Sequence, residues 1–318
     1  MMLHFVKHSD INPEKWDTLV LKSSSSSIFL TYECLNLLTL PNSWNAIISD
    51  DYSIALPLPT RRKWTKNYAY TPFFIPQMGI LSSQNINPET IELILEAIPD
   101  DYVLADIVLN AECECVNNQK DFEFTSYKLG LNHSYDSLYA NFSTNTKRNI
   151  RHAEKQNFQL FLNENIVDET IELFRKNRGA LKNVNFLNED YKRLAQVAKY
   201  LHSKNLCEIY GVKSNIGELV AAAFFVRDFR CTWFWFSGRD NATAGAPMFF
   251  LMDNFVKNNA NTDNVLDFNG SNNKNVSRLY AGFGGVRYNF YGTRRFRSPF
   301  WKLVFKLRAK IKRRGSSR

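Results

Sequence analysis

The chain has 318 residues, more than one hydrophobic core usually organises, so two domains are expected. Its net charge of +9 is concentrated near one end, because 11 Lys or Arg and no Asp or Glu lie from Arg294 to Arg318. Subtracting these from the 40 basic and 31 acidic residues of the chain leaves 29 and 31. The near-neutral remainder argues against a general nucleic-acid-binding protein, whose folded surface would itself be basic, and we expect no DNA partner.

The cysteines and the apolar runs indicate in which compartment of the cell the protein is located. Neither a CxxC motif nor a Cys/His ligand pattern occurs among the five cysteines, so we expect reduced thiols and no metal site: Cys34, Cys113, Cys115, Cys207 and Cys231. The N-terminus lacks the apolar core of a signal peptide, and the longest apolar run, 219–226, is too short to span a bilayer. The predicted location is cytoplasmic, with the inner face of the cytoplasmic membrane as an open alternative.

In the first half of the chain, strands and helices alternate. The serine run 23–27 predicts a loop that caps the following helix. The segments 44–49 and 53–59 flank a turn and predict a β-hairpin. The segment 87–98 predicts a helix, because its first residue is a good cap, Pro88 follows, and its isoleucines and leucines share one face.

Near residue 132 the pattern begins again. Helices and a strand are followed by helices at 167–179 and 188–203, an antiparallel meander of three strands, a helix near 245–259, a strand, a helix and a last strand. The predicted fold class is therefore α+β, with two mixed-sheet domains in tandem. We place the domains at 1–132 and 133–293, followed by a basic tail at 294–318.

Three stretches carry a resemblance to a known family: NTKRNIRHAEKQNFQL (145–160), WFWFSGRDNATAGAPMFFLMDNFV (233–256) and LDFNGSNNKNVSRLYAGFGG (266–285). The first stretch resembles the helix that opens the second domain of tandem-GNAT acyltransferases. The second resembles the strand, loop and helix that hold the acyl donor in that family. The third resembles the closing turn of the same domain. That family includes the Fem-type proteins and their acetyltransferase-like relatives. The resemblance implies two GNAT-like domains in tandem.

The resemblance also implies a co-substrate, acetyl-CoA or another acyl-CoA, whose pyrophosphate binds backbone N–H groups at a helix start. Without the resemblance, the loop 237–247 would better fit an ordinary strand-to-helix connection, because it has no clear glycine fingerprint. Alternation along the strand predicts that Trp233 and Trp235 share one face, and Phe234 and Phe236 the other. The candidate cofactor-binding residues are Trp235, Ser237, Gly238, Arg239, Gly245 and Ala246.

Two residues are candidates for the chemical step. Asp267 could accept a proton from an incoming amine, directly or through water, if burial raises its pKa; alternatively, it only caps the turn that follows. Tyr280 could protonate a leaving thiolate, or it could be a core aromatic residue. All five histidines precede these motifs, so a histidine base is not expected.

The acceptor is expected to carry an amine and a phosphate. The helix 145–156 bears a basic stripe that could bind phosphate, although such stripes are commonly solvated faces. A second candidate is the basic turn containing Arg61, Arg62, Lys63 and Lys66. The candidate substrate-binding residues are Lys147, Arg148, Arg151, Asn269, Ser271 and Phe283.

Three functions remain open at the level of sequence. The first is transfer of an acyl group, in the first instance acetyl, from acyl-CoA to an amine on a cell-envelope or nucleotide-sugar precursor. The second is Fem-type transfer from aminoacyl-tRNA in peptidoglycan bridge synthesis; Fem-type enzymes tend to carry a Phe-Lys pair where this chain has Leu279 and Tyr280, which counts against it. The third is a non-catalytic GNAT-fold module that binds a ligand.

The basic tail predicts an amphipathic helix after Pro299. At helical spacing Phe300, Val304, Leu307 and Ile311 share one side, while lysines occupy another. This pattern is typical of a helix at an anionic membrane surface. A helix docked on the body of the protein is the alternative.

Overall fold

The computed structural model describes residues 2–63, 65–111, 120–181, 184, 186–270 and 273–315, with side-chain burial described as far as Leu307. The chain forms two compact units. Unit 1 comprises Met1–Glu123 and Phe290–Arg318, and unit 2 comprises Phe124–Asn289. The predicted division of the chain at residue 132 and the separate tail stay predictions. Cys113 and Cys115 lie outside the described residues.

In its described part, unit 1 combines a mixed sheet with α-helices. Its strands are β1 (Leu3–Val6), β2 (Trp44–Ser49), β3 (Ile54–Lys63), β4 (Lys66–Tyr70), β5 (Leu81–Ser82) and β6 (Tyr102–Val108). Its helices are α1 (Pro13–Lys22), α2 (Tyr32–Leu38), α3 (Pro88–Glu96) and α10 (Pro299–Gly315). The strands lie in the order β1-β2-β3-β4-β6, β5 pairs with β3, and the C-terminal part of the last strand of the chain pairs with β6.

Local sequence signals explain much of unit 1. The predicted hairpin is confirmed, since β2 and β3 pair antiparallel. Helix α3 begins as predicted, because the Asn87 side chain accepts a hydrogen bond from the Thr90 N–H at 2.8 Å. The serine run does not cap α2, which has no side-chain cap. Instead Ser23 and Ser25 are buried, and their hydroxyls bond backbone groups of Ser82 and Ile80.

In unit 2, parallel and antiparallel strands are covered by helices. Its helices are α4 (Tyr135–Ala140), α5 (Thr144–Glu154), α6 (Val167–Lys176), α7 (Asn188–Ser203), α8 (Pro247–Asn259) and α9 (Lys274–Gly282). Its strands are β7 (Phe122–Gly130), β8 (Gln159–Leu162), β9 (Cys207–Lys213), β10 (Leu219–Arg227), β11 (Thr232–Arg239), β12 (Val265–Asp267) and β13 (Val286–Phe296). β7 and β13 begin or end in unit 1. The strand order is β13-β7-β12-β11-β10-β9-β8.

The predicted antiparallel meander is confirmed as β9, β10 and β11, and α8 follows β11 directly. One face of this sheet packs on α4, α5, α8 and α9 in an aromatic core that includes Phe225, Phe255 and Phe268. The rings of Phe225 and Phe255 stack with centroids 3.7 Å apart. The predicted α+β fold class is confirmed, and the core fixes where β11, β12 and α8 meet.

None of the helices in the described part of the chain combines the length and apolarity needed to cross a bilayer. The helix predicted for the basic tail forms as α10, from Pro299 to Gly315. Proline suits this first position, because the first helical N–H groups have no partner within the helix.

Candidate active site

β11 is paired along its length on one side only. On the β10 side its pairs run from Thr232 to Arg239. On the β12 side two parallel pairs form, Thr232 with Leu266 and Trp233 with Asp267, and there the pairing ends. No described strand pairs with this edge from residue 234 to residue 239. The end of β12 therefore lies beside a strand edge that continues past it.

A β-bulge lies in this same stretch. Phe224 of β10 pairs with Phe236, and Phe225 pairs with Phe234, so Trp235 is an extra residue on β11. Because Phe224 and Phe225 point to opposite faces, Phe234 and Phe236 do so as well. The prediction that Phe234 and Phe236 share a face is therefore wrong. Trp235 itself is buried.

Asn269 connects the end of β12 to the bulge. Its side-chain amide donates to the carbonyl oxygen of Trp235 at 3.2 Å, and its backbone N–H donates to Asp267 at 3.0 Å. Asn269 and Gly270 both have left-handed backbone conformations, with φ of 57° and 64°. An Asn-Gly pair suits this position, because glycine and asparagine tolerate the left-handed conformation well. Ser271, the next predicted substrate contact, lies outside the described residues.

The loop between β11 and α8 is ordered by Asp240. This carboxylate accepts hydrogen bonds from the Thr243 hydroxyl and the Ala242 N–H. These bonds lower the pKa of Asp240 below its usual value, and the bond from Thr243 has the largest effect. Arg239 is exposed and donates to the Asn241 side chain at 3.1 Å, and Ser237 is half-buried.

The start of α8 has an unusual backbone. Gly245 and Ala246 are both left-handed, with φ of 87° and 57°, and no side chain caps the helix. In an L-residue other than glycine, this conformation costs roughly 1–2 kcal/mol. Successive N–H groups in such turns, together with the helix dipole, favour an anion. Backbone strain of this kind is typical of functional loops.

Two of the predicted donor-site glycines are required for close packing. A Cβ on Gly245 would lie 2.3 Å from Cγ of Gln156. A Cβ on Gly238 would lie 2.6 Å from the Thr170 carbonyl oxygen and 2.8 Å from the Phe174 nitrogen, both on the backbone of α6. Gly238 thus lets α6 lie directly against β11, which accounts for a glycine there without any ligand.

Asp267 is fully buried and belongs to a polar cluster on one face of the sheet. It accepts hydrogen bonds from the Ser126 hydroxyl at 2.8 Å and the Tyr288 hydroxyl at 2.6 Å. Burial raises the pKa of Asp267, although the bonds from Tyr288 and Ser126, the bond from the Asn269 N–H and the charge of Lys128 oppose the shift. Its 0% exposure means that another group must carry any proton between Asp267 and a ligand.

Sequence reasoning missed Ser126, Lys128 and Tyr288. Lys128 is the register partner of Asp267 on β7, and its ammonium group lies 4.6 Å from the ring centroid of Tyr288. Ser126 is 141 residues from Asp267 along the chain. Only the strand order β13-β7-β12 brings these side chains together, so no local pattern could have identified them.

Tyr280 lies on the other face, in the aromatic core. Its ring stacks on Phe268 with centroids 4.6 Å apart and meets Phe234 edge-on. Burial, and the nearby charge of Asp267, raise the pKa of Tyr280 above its usual value, so it remains protonated at neutral pH. Its hydroxyl forms no hydrogen bond with any residue that the structure describes.

The other predicted substrate contacts are dispersed. Lys147 donates to the Ala140 carbonyl at 2.7 Å, at the end of α4, while Arg148 and Arg151 are exposed and bond groups of α5 itself. Phe283 is fully buried between Phe142 and Phe249 and exposes none of its side chain to a ligand.

A second buried carboxylate, Asp253 on α8, was also missed. It accepts a hydrogen bond from the Tyr135 hydroxyl at 2.7 Å. Burial raises its pKa to about 6, with a further contribution from Glu154, against the opposing effects of the Tyr135 bond and Lys257. A polar residue on the buried side of an amphipathic helix was the available signal. Across the described ranges, no group of His, Cys, Asp and Glu could hold a metal ion.

Comparison with known proteins shows what the chain is similar to. A model of the acetyltransferase (GNAT) domain matches residues 140–274. The fold is similar to that of FemX, with a TM-score of 0.67 at 11% identity over 96% of this chain and 100% of that chain. It is also similar to L-PGS from Bacillus licheniformis, with a TM-score of 0.53 at 14% identity over 93% of this chain and 96% of that chain. The C-terminal domain of a putative lysylphosphatidylglycerol synthetase from Agrobacterium fabrum gives 0.54 at 10% identity over 94% of this chain and 95% of that one. A search of curated proteins found no match.

Proposed function

We propose that this protein is an acyltransferase that moves an acyl group from acyl-CoA to an amine, because residues 140–274 match a model of the acetyltransferase (GNAT) domain and the fold is similar to that of FemX. The acyl group that we propose is acetyl. The acceptor is an amine-bearing, phosphorylated precursor of the cell envelope or a nucleotide-linked sugar.

The observation that carries the proposal is the end of β11–β12 pairing. The last pair contains Asp267, and the edge of β11 then continues to the strained, uncapped start of α8. An extended donor arm could lie along this edge with its pyrophosphate at Gly245 and Ala246. The reacting carbonyl would then lie near the end of β12.

The proposed donor site uses the backbone more than the side chains. The N–H groups at the start of α8 would meet the pyrophosphate, Arg239 would add a positive charge, and Ser237 and Trp235 would line the edge of β11. Gly238 contributes by letting α6 pack closely. The acyl donor supplies an activated thioester carbonyl.

In the proposed reaction, the acceptor nitrogen attacks the carbonyl carbon, the carbon–sulfur bond breaks, and the nitrogen loses a proton. Asp267 would take up that proton through Tyr288, whose hydroxyl it already holds at 2.6 Å. Tyr280, with a protonated hydroxyl that no described residue engages, would donate a proton to the leaving thiolate. Asn269 would hold the turn between them.

The proposed phosphorylated acceptor rests on the positive charge of helix α5. Arg148 and Arg151 on α5 are exposed, and they are the residues of that helix best placed to meet a phosphate; Lys147 is occupied by the end of α4. A phosphorylated acceptor also fits the Agrobacterium fabrum relative, whose name describes a phospholipid product.

A second candidate is transfer from aminoacyl-tRNA. It is favoured by the similarity that spans nearly the whole chain of FemX as well as this one. The tyrosine at position 280, where the Fem-type pattern has lysine, counts against it.

Thermal stability with each donor tests the proposal. A ligand that binds the folded protein at about a hundred times its Kd stabilises it by about 2.7 kcal/mol. We expect acetyl-CoA and CoA to raise the Tm, and uncharged tRNA to leave it unchanged. Stabilisation by tRNA but not by CoA would favour the second candidate, and no response to either would contradict both.

A further inference from the structure

Helix α10 has an apolar side that unit 1 does not cover. Phe300, Leu303 and Leu307 are 64%, 56% and 52% exposed. Residues three and four positions apart lie on one side of a helix, so these three form a continuous apolar strip. Helix α10 is in contact with the rest of unit 1, because Phe305 packs on Phe296 with ring centroids 5.7 Å apart. The strip is therefore exposed on a helix that is held in place.

Positive charge accompanies the strip. Lys302 and Lys306 are exposed and form no ion pair with the rest of the described chain. In sequence, Pro299–Gly315 contains seven Lys or Arg and no Asp or Glu. The three arginines that precede the helix differ, because each pairs with an acidic residue of unit 1: Arg294 with Asp106, Arg295 with Glu92 and Arg297 with Asp100.

We propose that α10 binds the surface of a membrane that contains anionic lipids. The apolar strip would enter the boundary between headgroups and acyl chains, and the lysines beside it would lie among the headgroup phosphates. Nucleic acid offers phosphates but no apolar layer for the strip. A second copy of the chain would bring two helices of seven cations each together, which charge repulsion disfavours.

This attachment is peripheral and reversible. A single short amphipathic helix holds a protein at a surface by buried apolar area and by charge together, so the binding is sensitive to salt. It is independent of the proposed acyl transfer, since neither donor nor acceptor takes part.

The test is co-sedimentation of the full chain with vesicles of phosphatidylcholine and phosphatidylglycerol in equal amounts. We expect the wild type to pellet with them, and to pellet much less with pure phosphatidylcholine or in high salt. The pair Leu303→Gln and Leu307→Gln should reduce the bound-to-free ratio at least about tenfold. The pair Lys302→Gln and Lys306→Gln should reduce it only with the anionic vesicles.

Matched controls come from elsewhere in unit 1. Leu21 on α1 and Leu93 on α3 are 61% and 55% exposed, so Leu21→Gln with Leu93→Gln removes equivalent apolar surface elsewhere. Lys7→Gln with Lys22→Gln removes equivalent exposed charge. Equal pelleting of the strip and control variants, or no pelleting of the wild type with anionic vesicles, would overturn the proposal. So would a change from dimer to monomer in the strip variant, since that would make the strip an interface between copies.

Discussion

At the scale of single residues, a carboxylate without any exposed surface lies where the pairing of β11 and β12 ends. Burial of Asp267 disfavours its charge, and hydrogen bonds from Ser126 and Tyr288 compensate in part. An Asp in such a position has a raised pKa and is therefore a stronger base than an exposed Asp, but it needs an intermediary to reach a proton. Tyr288, half-buried and bonded to it, is the group that can serve.

Substitutions at Asp267 and Tyr288 test this pairing. Asp267→Asn and Tyr288→Phe should each lower kcat about a hundredfold with little change in KM, because they act on proton transfer rather than on binding. Rate should fall as the pH is lowered through the raised pKa of Asp267, and Asp267→Asn should lose this dependence. Tyr280→Phe should also lower kcat, since the leaving thiolate would lose its proton donor. CoA release with acetyl-CoA and an amine acceptor is the measurement; Ser126→Ala, which leaves the Tyr288 bond in place, is the control. Wild-type kcat in Asp267→Asn, Tyr288→Phe and Tyr280→Phe alike would place the chemistry elsewhere.

Asp253 predicts a pH dependence of stability. Its pKa of about 6 lies above the 3.8 of an unburied Asp, so the folded state holds its proton more tightly than the unfolded state. The resulting stability is complete below pH 3.8 and is lost as the pH rises through about 6. Asp253→Asn keeps an acceptor for Tyr135 and removes the buried charge. It should therefore raise the free energy of unfolding by up to about 3 kcal/mol at neutral pH and by little at acid pH. Urea unfolding at both pH values measures this; an equal effect at each pH would contradict it.

At the scale of elements, the sequence predicted those features that short segments determine. The cap at Asn87, the β2–β3 hairpin and the helix–strand order of unit 2 follow from cap, turn and periodicity signals. The bulge at Trp235 could not be predicted, because it is defined by pairing with β10 and not by the β11 sequence itself. The serine run was misread for a similar reason: its burial depends on strand β5, far along the chain.

The contact between α6 and β11 gives a prediction for Gly238. Gly238→Ala should lower stability by about 1–3 kcal/mol, because the backbone of α6 cannot move away from the new Cβ as a flexible side chain could. Thermal unfolding of this variant measures the effect. Gly130→Ala is the control, since a Cβ there meets only the side chain of Asn132, at 3.3 Å. An unchanged Tm for Gly238→Ala would mean that α6 does not lie on β11 as described.

At the scale of the whole molecule, the α+β class and the resemblance to the GNAT acetyltransferase domain were accessible from sequence, while the assembly of the site was not. The stretches at 145–160, 233–256 and 266–285 carried the resemblance, and the GNAT family model matches residues 140–274. The partners of Asp267 come from β7 and β13, outside that matched range. A site assembled across a sheet depends on strand order, which local patterns do not contain.

The central claim is that the start of α8 binds the pyrophosphate of an acyl donor. Asp and Asn are nearly identical in shape, both tolerate the left-handed conformation of Ala246, and both cap helices well. Ala246→Asp and Ala246→Asn should therefore be equally stable, but only the Asp variant places a negative charge against the pyrophosphate. Calorimetric titration with CoA is the direct measurement. We predict that the Asn variant binds CoA within a few-fold of the wild type and that the Asp variant binds at least about tenfold more weakly. Equal affinity of the two variants for CoA would contradict the account.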